Sequence, residues 1–339
     1  MLDFDRHTDG HKFPDFVHFS IRQRNATEGP VGELLPGFDP VVSGWQPMDH
    51  HVSAGVTSML QGSNSLTSAE IDALWSISDP VNGEIKLKKA LTEYPASADE
   101  LHTQIARSQG LQGRFHEAWE EIAKVSTTPR EVVQIRVQLE SGRLKNTSGD
   151  TKESQAHFLK AFALAEQGHF DFYAVDAAHM LGIVSEGQES VQWNEKALKI
   201  ATNSKDERAQ KWKGSLLNNL GWSYFSMGNF DTALIAFGSA LEFQQTTGNP
   251  VRIRIARWAV ARCLRTLKRY DEAFAIQSDL IQYPEQGYVS EELGELLLVM
   301  DRPDEARLRF RKAYELLSPG LSSDPNERAR LTRLKELSQ

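Results

Sequence analysis

A small residue recurs along this chain at a spacing that points to a stacked array of similar units. Gly83, Ala118, Ser154, Ser190, Ala233, Ala273 and Ala306 follow one another at intervals of 35, 36, 36, 43, 40 and 33 residues. Around them, apolar residues recur at the helical period in paired stretches, so the repeating unit reads as two antiparallel helices. One such pair cannot bury its apolar faces alone; neighbouring pairs must cover them. The 339 residues therefore predict an elongated array of about seven helix pairs rather than two globular domains. The intervals of 43 and 40 predict longer helices, or longer connections near 203–206 and 247–250.

The clearest unit is LLNNLGWSYFSMGNFDTALIAFGSAL, with Leu217, Leu220, Gly221 and Tyr224 on one helix and Ala233, Phe237 and Ala240 on the next. It resembles the tetratricopeptide repeat signature W-x2-L-G-x2-Y…A-x3-F…A-x4-P, with Leu217 in place of the tryptophan and Gln245 in place of the proline. Small residues at Gly221, Ala233 and Ala240 predict the closest approach of the two helices, with Phe237 and Tyr224 filling space on either side. The resemblance covers about residues 64–320 and is to bacterial-type stand-alone tetratricopeptide proteins. It implies an all-α fold, a right-handed α-α superhelix, with the first helix of each pair lining a concave groove. The expected organisation is an irregular N-terminal arm over 1–62, the array over 63–320, and a capping helix within 321–339 that opens at Asp324-Pro325.

The arm holds five of the ten histidines and five of the thirteen prolines, and its Gly and Pro punctuation breaks any long element. Phe4, Phe13, Phe16, Phe19, Phe38 and Trp45 are many aromatics for a free tail, and predict that part of it docks on the body. His7, His11, His18, His50 and His51 stand near Asp3, Asp5, Asp9 and Asp49, but no spacing holds them on one face, so no metal site is expected. A net charge of -8 argues against general affinity for nucleic acid or anionic membrane. The single cysteine, Cys263, excludes an internal disulfide and reads as a core thiol. With no apolar leader or membrane-length apolar run, the expected location is cytoplasmic, and the sequons at Asn25 and Asn146 are read as chance. No nucleophile elbow, phosphate-binding loop or dinucleotide fingerprint occurs, so neither catalytic residues nor cofactors are expected.

The strongest local signal lies between Val251 and Tyr270, where seven basic residues occur without an acidic one. With Ala261 at the small position of its helix, Trp258, Arg262, Arg265 and Arg269 fall on one stripe of the implied groove. Guanidinium groups beside an indole suit an acidic peptide, taking its carboxylates bidentately. Alternatively, Glu291 and Glu295 of the next unit pair with these arginines in an intramolecular ladder. Asn218 and Trp222 join the same groove from the preceding unit, and Asp176 and His179 from the one before. A chaperone-binding clamp of the tetratricopeptide type would need a lysine near His179 and a cationic pair where Trp258 and Arg262 stand, so that function is rejected. What remains is a non-catalytic module that holds a protein or peptide partner, with a peptide-responsive regulatory receptor, or an enzyme using the arm, as alternatives.

Overall fold

The structure, a computed structural model, describes residues 65–77, 79–127, 129–283, 287–318 and 325–339. The arm at 1–62 and the proposed N-cap Asp324 lie outside them. Regular structure among the described residues is helical, apart from one isolated bridge between Ser76 and Asp79. The helices fall into two compact units that divide between Trp212 and Lys213. The first contains α1 (Ser68–Ala73), α2 (Pro80–Glu93), α3 (Ala98–Leu111), α4 (Phe115–Ala123), α5 (Glu131–Thr147), α6 (Thr151–Gln167), α7 (Asp171–Val184), α8 (Gly187–Asn203) and α9 (Glu207–Gln210). The second contains α10 (Lys213–Ser226), α11 (Phe230–Thr247), α12 (Pro250–Thr266), α13 (Tyr270–Leu280), α14 (Gly287–Val299), α15 (Pro303–Leu317) and α16 (Pro325–Leu337).

Each recurrent small residue is the fourth residue of the second helix of a pair. In six of the seven its N–H makes the first i to i−4 bond of that helix, as Ala233 does to the Asn229 carbonyl at 2.9 Å. Ala118, Ser154, Ala233, Ala273 and Ala306 are wholly buried, so any larger side chain there would push the partner helix away. The two long intervals have separate causes: the extra helix α9 accounts for 43, and the eighteen-residue α11 for 40. The first pair is cut short, because α1 has only six residues.

Six of the chain reversals share one device. At the ends of α3, α5, α6, α10, α12 and α14 an N–H reaches back five residues, as from Asn229 to the Tyr224 carbonyl at 2.9 Å, around a residue with positive φ. Gly113, Gly149 and Gly228 adopt that conformation without a Cβ penalty, whereas His169, Lys268 and Asp301 carry one.

Inside the pairs, the closest approach differs from the expected one. A Cβ on Gly221 would overlap the ring of Phe237, so the glycine is a seat for the aromatic ring and does not face the alanines Ala233 and Ala240. The same seat recurs for Phe158 on Gly142, at 2.5 Å from such a Cβ, and for Phe310 on Gly294, at 2.8 Å. All three rings are fully buried.

The equivalent position on α13 is Gln277, also fully buried, and neither end of its amide meets a hydrogen-bond partner among the described residues. Replacing Gln277 with leucine should therefore stabilise the protein by about 1–3 kcal/mol, the usual desolvation penalty of an unsatisfied buried polar group. A denaturation midpoint that rises in Gln277→Leu checks this; a fall would place an unseen partner on the amide.

Glu84 ties α2 to α3 and to the turn before α4. Its carboxylate accepts from Gln109 at 3.1 Å, Gln112 at 2.8 Å and Arg114 at 2.6 Å, and pairs with Lys88 at 2.7 Å. Burial by itself would raise its pKa, but the bonds from Lys88, Gln112 and Gln109 prevail and hold it at about 2, below the ordinary 4.5. A depressed folded value means that this stabilisation is complete above the unfolded value and is lost as pH falls from about 4.5 toward 2. Acid unfolding of Glu84→Gln should thus be less steep over that window than that of the wild type, as followed by circular dichroism.

Candidate functional site

Counting back twelve residues from the recurrent small positions marks Ala106 on α3, Gly142 on α5, Gly221 on α10, Ala261 on α12 and Gly294 on α14. One step further along each helix stand Arg107, Arg143, Trp222, Arg262 and Glu295. The first helices therefore present a periodic row of charged and aromatic side chains, in each unit separately.

In the first unit the row is a chain of alternating charge. Arg107 lies 3.7 Å from Glu140, Glu140 accepts from Arg143 at 2.7 Å, and Arg143 donates to Asp176 at 2.5 Å. Burial and the charge of Arg143 bring the Arg107 guanidinium down to about 10, against the pull of Glu140 and Asp176. His179, one turn along α7 from Asp176, is buried with its ring 5.0 Å from that of Trp212. Beside this row a second cluster joins Arg136 to Asp72 at 2.7 Å and to Glu100 at 2.9 Å. Near the start of α7, a cleft of about 450 Å³ is lined by His169, Phe172, Lys205 and Arg208 among others.

In the second unit the row holds Trp222, Arg262 and Glu295, and an aromatic file runs beside it. The Trp222 and Trp258 rings are 5.9 Å apart, Trp258 and Tyr288 6.5 Å, and Arg330 of α16 lies 4.6 Å from the Tyr288 ring. The Trp258 indole N–H donates to the Tyr288 carbonyl at 3.1 Å, which locks α12 to α14. Beside both indoles stands Arg262, 5.4 Å from Trp258 and 6.0 Å from Trp222. Burial lowers its pKa, although Glu292 at 4.0 Å opposes this. Arg265 engages the two oxygens of Glu292 at 2.5 and 3.2 Å; burial would depress its pKa, but Glu292 prevails and raises it. Asn218 is half-buried one turn before Trp222 on α10.

The expected site is thus partly redistributed. Asp176 and His179 belong to the first unit, while Asn218, Trp222, Trp258, Arg262 and Arg265 belong to the second. Arg269 is not on the stripe: α12 ends at Thr266, and Arg269 is the N-cap residue of α13, where it pairs with Glu272 at 2.7 Å. The ladder is real but its partners are shifted. Glu291 and Glu295 turn toward α16, where Arg330 and Arg333 bind them, whereas Glu292, about 100° around α14 from Glu291, faces α12. Arg107, Glu140, Arg143, Glu292 and Tyr288 were missed, although the twelve-residue offset, applied to α3 and α5, leads to Arg107 and Arg143. Cys263 is buried and donates to the Phe230 carbonyl at 3.3 Å; burial pushes its thiol up to about 11, which makes it a poor nucleophile. Among the described residues no group of three His, Cys, Asp or Glu is placed to hold a metal ion, and no helix is long and apolar enough to cross a membrane.

Residues 214–247, the α10–α11 pair, match the tetratricopeptide repeat family. Among solved structures, the apo form of RapI is similar with a TM-score of 0.59 at 14% identity, over 80% of this chain and 80% of that one. The apo form of the quorum sensor NprR from B. thuringiensis gives 0.54 at 15%, over 80% and 81%, and NprR in complex with its cognate peptide NprX gives 0.50 at 14%, over 77% and 82%. The chain accordingly has the fold of tetratricopeptide helix-pair solenoids. No curated protein sequence matches it.

Proposed function

We propose that this tetratricopeptide solenoid is a non-catalytic binding module whose ligand is an acidic peptide segment held on the α10–α12–α14 face. The observation that carries this is Arg262, a guanidinium that stands beside the indoles of both Trp222 and Trp258. A carboxylate can take charge-assisted bonds there while an apolar side chain packs on the half-buried Trp222 ring, Trp258 being itself buried. Charge distribution supports the same ligand class: residues 213–339 carry 17 basic and 16 acidic side chains, against 21 and 30 in residues 1–212. The helices present these groups on rigid supports, so little ordering is required on binding.

A second function, as a peptide-responsive regulator, has its own support, since the similar NprR is a quorum sensor described with a cognate peptide. A peptide array scanned for acidic–aromatic sequences, probed with wild type and Trp222→Ala, tests the first. Capture confined to acidic peptides and lost in Trp222→Ala is expected; capture of basic peptides, or capture indifferent to Trp222, would refute it. Pull-down of a DNA-binding or enzymatic partner that peptide releases would favour the regulator.

A further inference from the structure

We propose that the face of α3, α5 and α7 that carries the charged row in the first unit is a docking site for a short acidic helix, that α1 of the same chain occupies it, and that an external segment of the same chemistry binds there by displacing α1. The site belongs to the unit that does not contain α10, α12 and α14, so it does not rest on the function proposed for their face.

The row of first-helix side chains supplies the floor of the site. Seven residues before Arg107 and Arg143 stand Glu100 and Arg136, two turns back and within about 20° of the same direction. α1 lies over this part of the row. Its Asp72 carboxylate accepts from Arg136 of α5 at 2.7 Å and from Arg208 of α9 at 3.5 Å, residues 64 and 136 positions further along the chain. Arg136 also donates to the Ser68 carbonyl at 3.4 Å, and the Tyr173 ring of α7 lies 5.0 Å from its guanidinium. An ordinary first helix pairs along its own second helix, as α10 does with α11, whereas α1 packs chiefly on α3.

α1 is held as a bound peptide is held. Of its six residues only Ile71 is buried, whereas α3 buries eight of its fourteen. Ile71 is the plug, set among Leu87, Ala90, Leu101 and Ile105. Just before the helix, the Leu66 N–H donates to the Ser97 hydroxyl at 2.7 Å, and that hydroxyl donates to the Leu66 carbonyl at 3.4 Å. The helix itself is specified locally: the Thr67 hydroxyl accepts from the Glu70 N–H at 3.3 Å, and the Glu70 carboxylate accepts from the Thr67 N–H at 2.8 Å. A segment that closes its own cap and offers one aliphatic plug and one carboxylate for two guanidiniums carries its whole recognition code within residues 66–72. Another chain with that code meets the same groups once α1 leaves.

The probe is a fluorescein-labelled synthetic peptide of residues 65–74, added to the full chain. A tethered segment acts at an effective concentration on the order of millimolar, so α1 should outcompete the peptide in the wild type. A chain carrying Ile71→Ser and Asp72→Asn should bind it about tenfold more tightly, with the cooperative thermal transition retained. Arg208→Gln in that background should remove the gain, Arg262→Gln should leave it, and a peptide with asparagine in place of its aspartate should bind more weakly. Because the substituted chain could lose its fold, hydrogen exchange on the wild type stands beside it. Excess peptide should speed exchange of the α1 amides while those of α3 and α5 keep their protection.

Equal affinity of the wild type and the substituted chain, no binding to a substituted chain that folds, or α1 exchange indifferent to excess peptide would overturn the proposal. If the gain survives Arg208→Gln and is lost with Arg262→Gln, the peptide sits on the α10–α12–α14 face, so this site falls and the acidic-peptide function stands. If the gain depends on Arg208 and no acidic peptide depends on Arg262, the reverse holds.

Discussion

Replacing Phe237 with alanine is expected to lower the stability of the protein by about 3–5 kcal/mol, measured as a shift in the urea midpoint. The ring is fully buried, is seated against Gly221 of the facing helix, and makes an edge contact with Trp222 at 4.8 Å. Its removal opens a cavity between α10 and α11 where the ring is seated on Gly221, next to the buried Ala233 and Ala240. The complementary change should also be harmful. Gly221→Ala places a methyl group inside the ring volume and should cost about 1–3 kcal/mol through overpacking. Because the two effects share one space, Gly221→Ala with Phe237→Leu should be more stable than the sum of the single losses implies. Strict additivity would mean that the glycine is not the seat of the ring. Trp222 leans on Phe237, so the alanine variant should weaken peptide binding too, which links the core of this pair to its outer face.

Arg136→Met should cost a comparable amount, about 3–5 kcal/mol, in the first unit. The guanidinium is 4% exposed and sits between the carboxylates of Asp72 and Glu100, the latter fully buried, with the Tyr173 ring 5.0 Å away. Without it, the buried Glu100 and the half-buried Asp72 face each other with reduced compensation. Burial already holds Asp72 above its ordinary value even with Arg136 and Arg208 opposing. An acid whose folded pKa is raised binds protons more strongly when folded, so lowering the pH relieves the defect. The loss in Arg136→Met should therefore be smaller near pH 5 than at pH 7. Neutralising the whole cluster, with Asp72→Asn and Glu100→Gln added to Arg136→Met, should recover much of the loss, because isosteric removal of a buried ionic group is far less harmful than breaking it. A pH-independent loss would assign Arg136 a packing role on Tyr173 instead.

The repeat was legible because helix pairing imposes one rule on every unit: a small residue must stand fourth in the second helix, whatever surrounds it. Seven positions obey that rule even where, as around Ser154 and Ser190, little else of the signature survives. The first helices were harder to read. Between α7 and α8 the turn shrinks to Ser185 and Glu186, and Gly182 lies only eight residues before Ser190, facing Asn194 in place of a phenylalanine. A one-turn loss of that kind hides the register of α7, and with it the pairing of Asp176 to Arg143. Salt-bridge partners were legible only to within a residue. Neighbouring glutamates on α14 differ by about 100° in direction, so a pattern that names Glu291 and Glu295 cannot tell them from Glu292 without knowing where α12 and α16 lie. Arg269 was misplaced because a turn, invisible in the spacing of basic residues, ends α12 three residues earlier.

The most direct measurement is the affinity of an acidic, aromatic-containing peptide for the full chain and for Arg262→Gln, with melting recorded on the same samples. Glutamine keeps the side chain polar and removes the charge, and Glu292 retains Arg265 as its main partner. Loss of charge-assisted bonds worth about 1.5–3 kcal/mol should weaken binding roughly 10- to 100-fold, with the cooperative transition preserved. Wild-type binding should also weaken as salt rises. Unchanged affinity in a folded Arg262→Gln chain would contradict the assignment of this face as the peptide site.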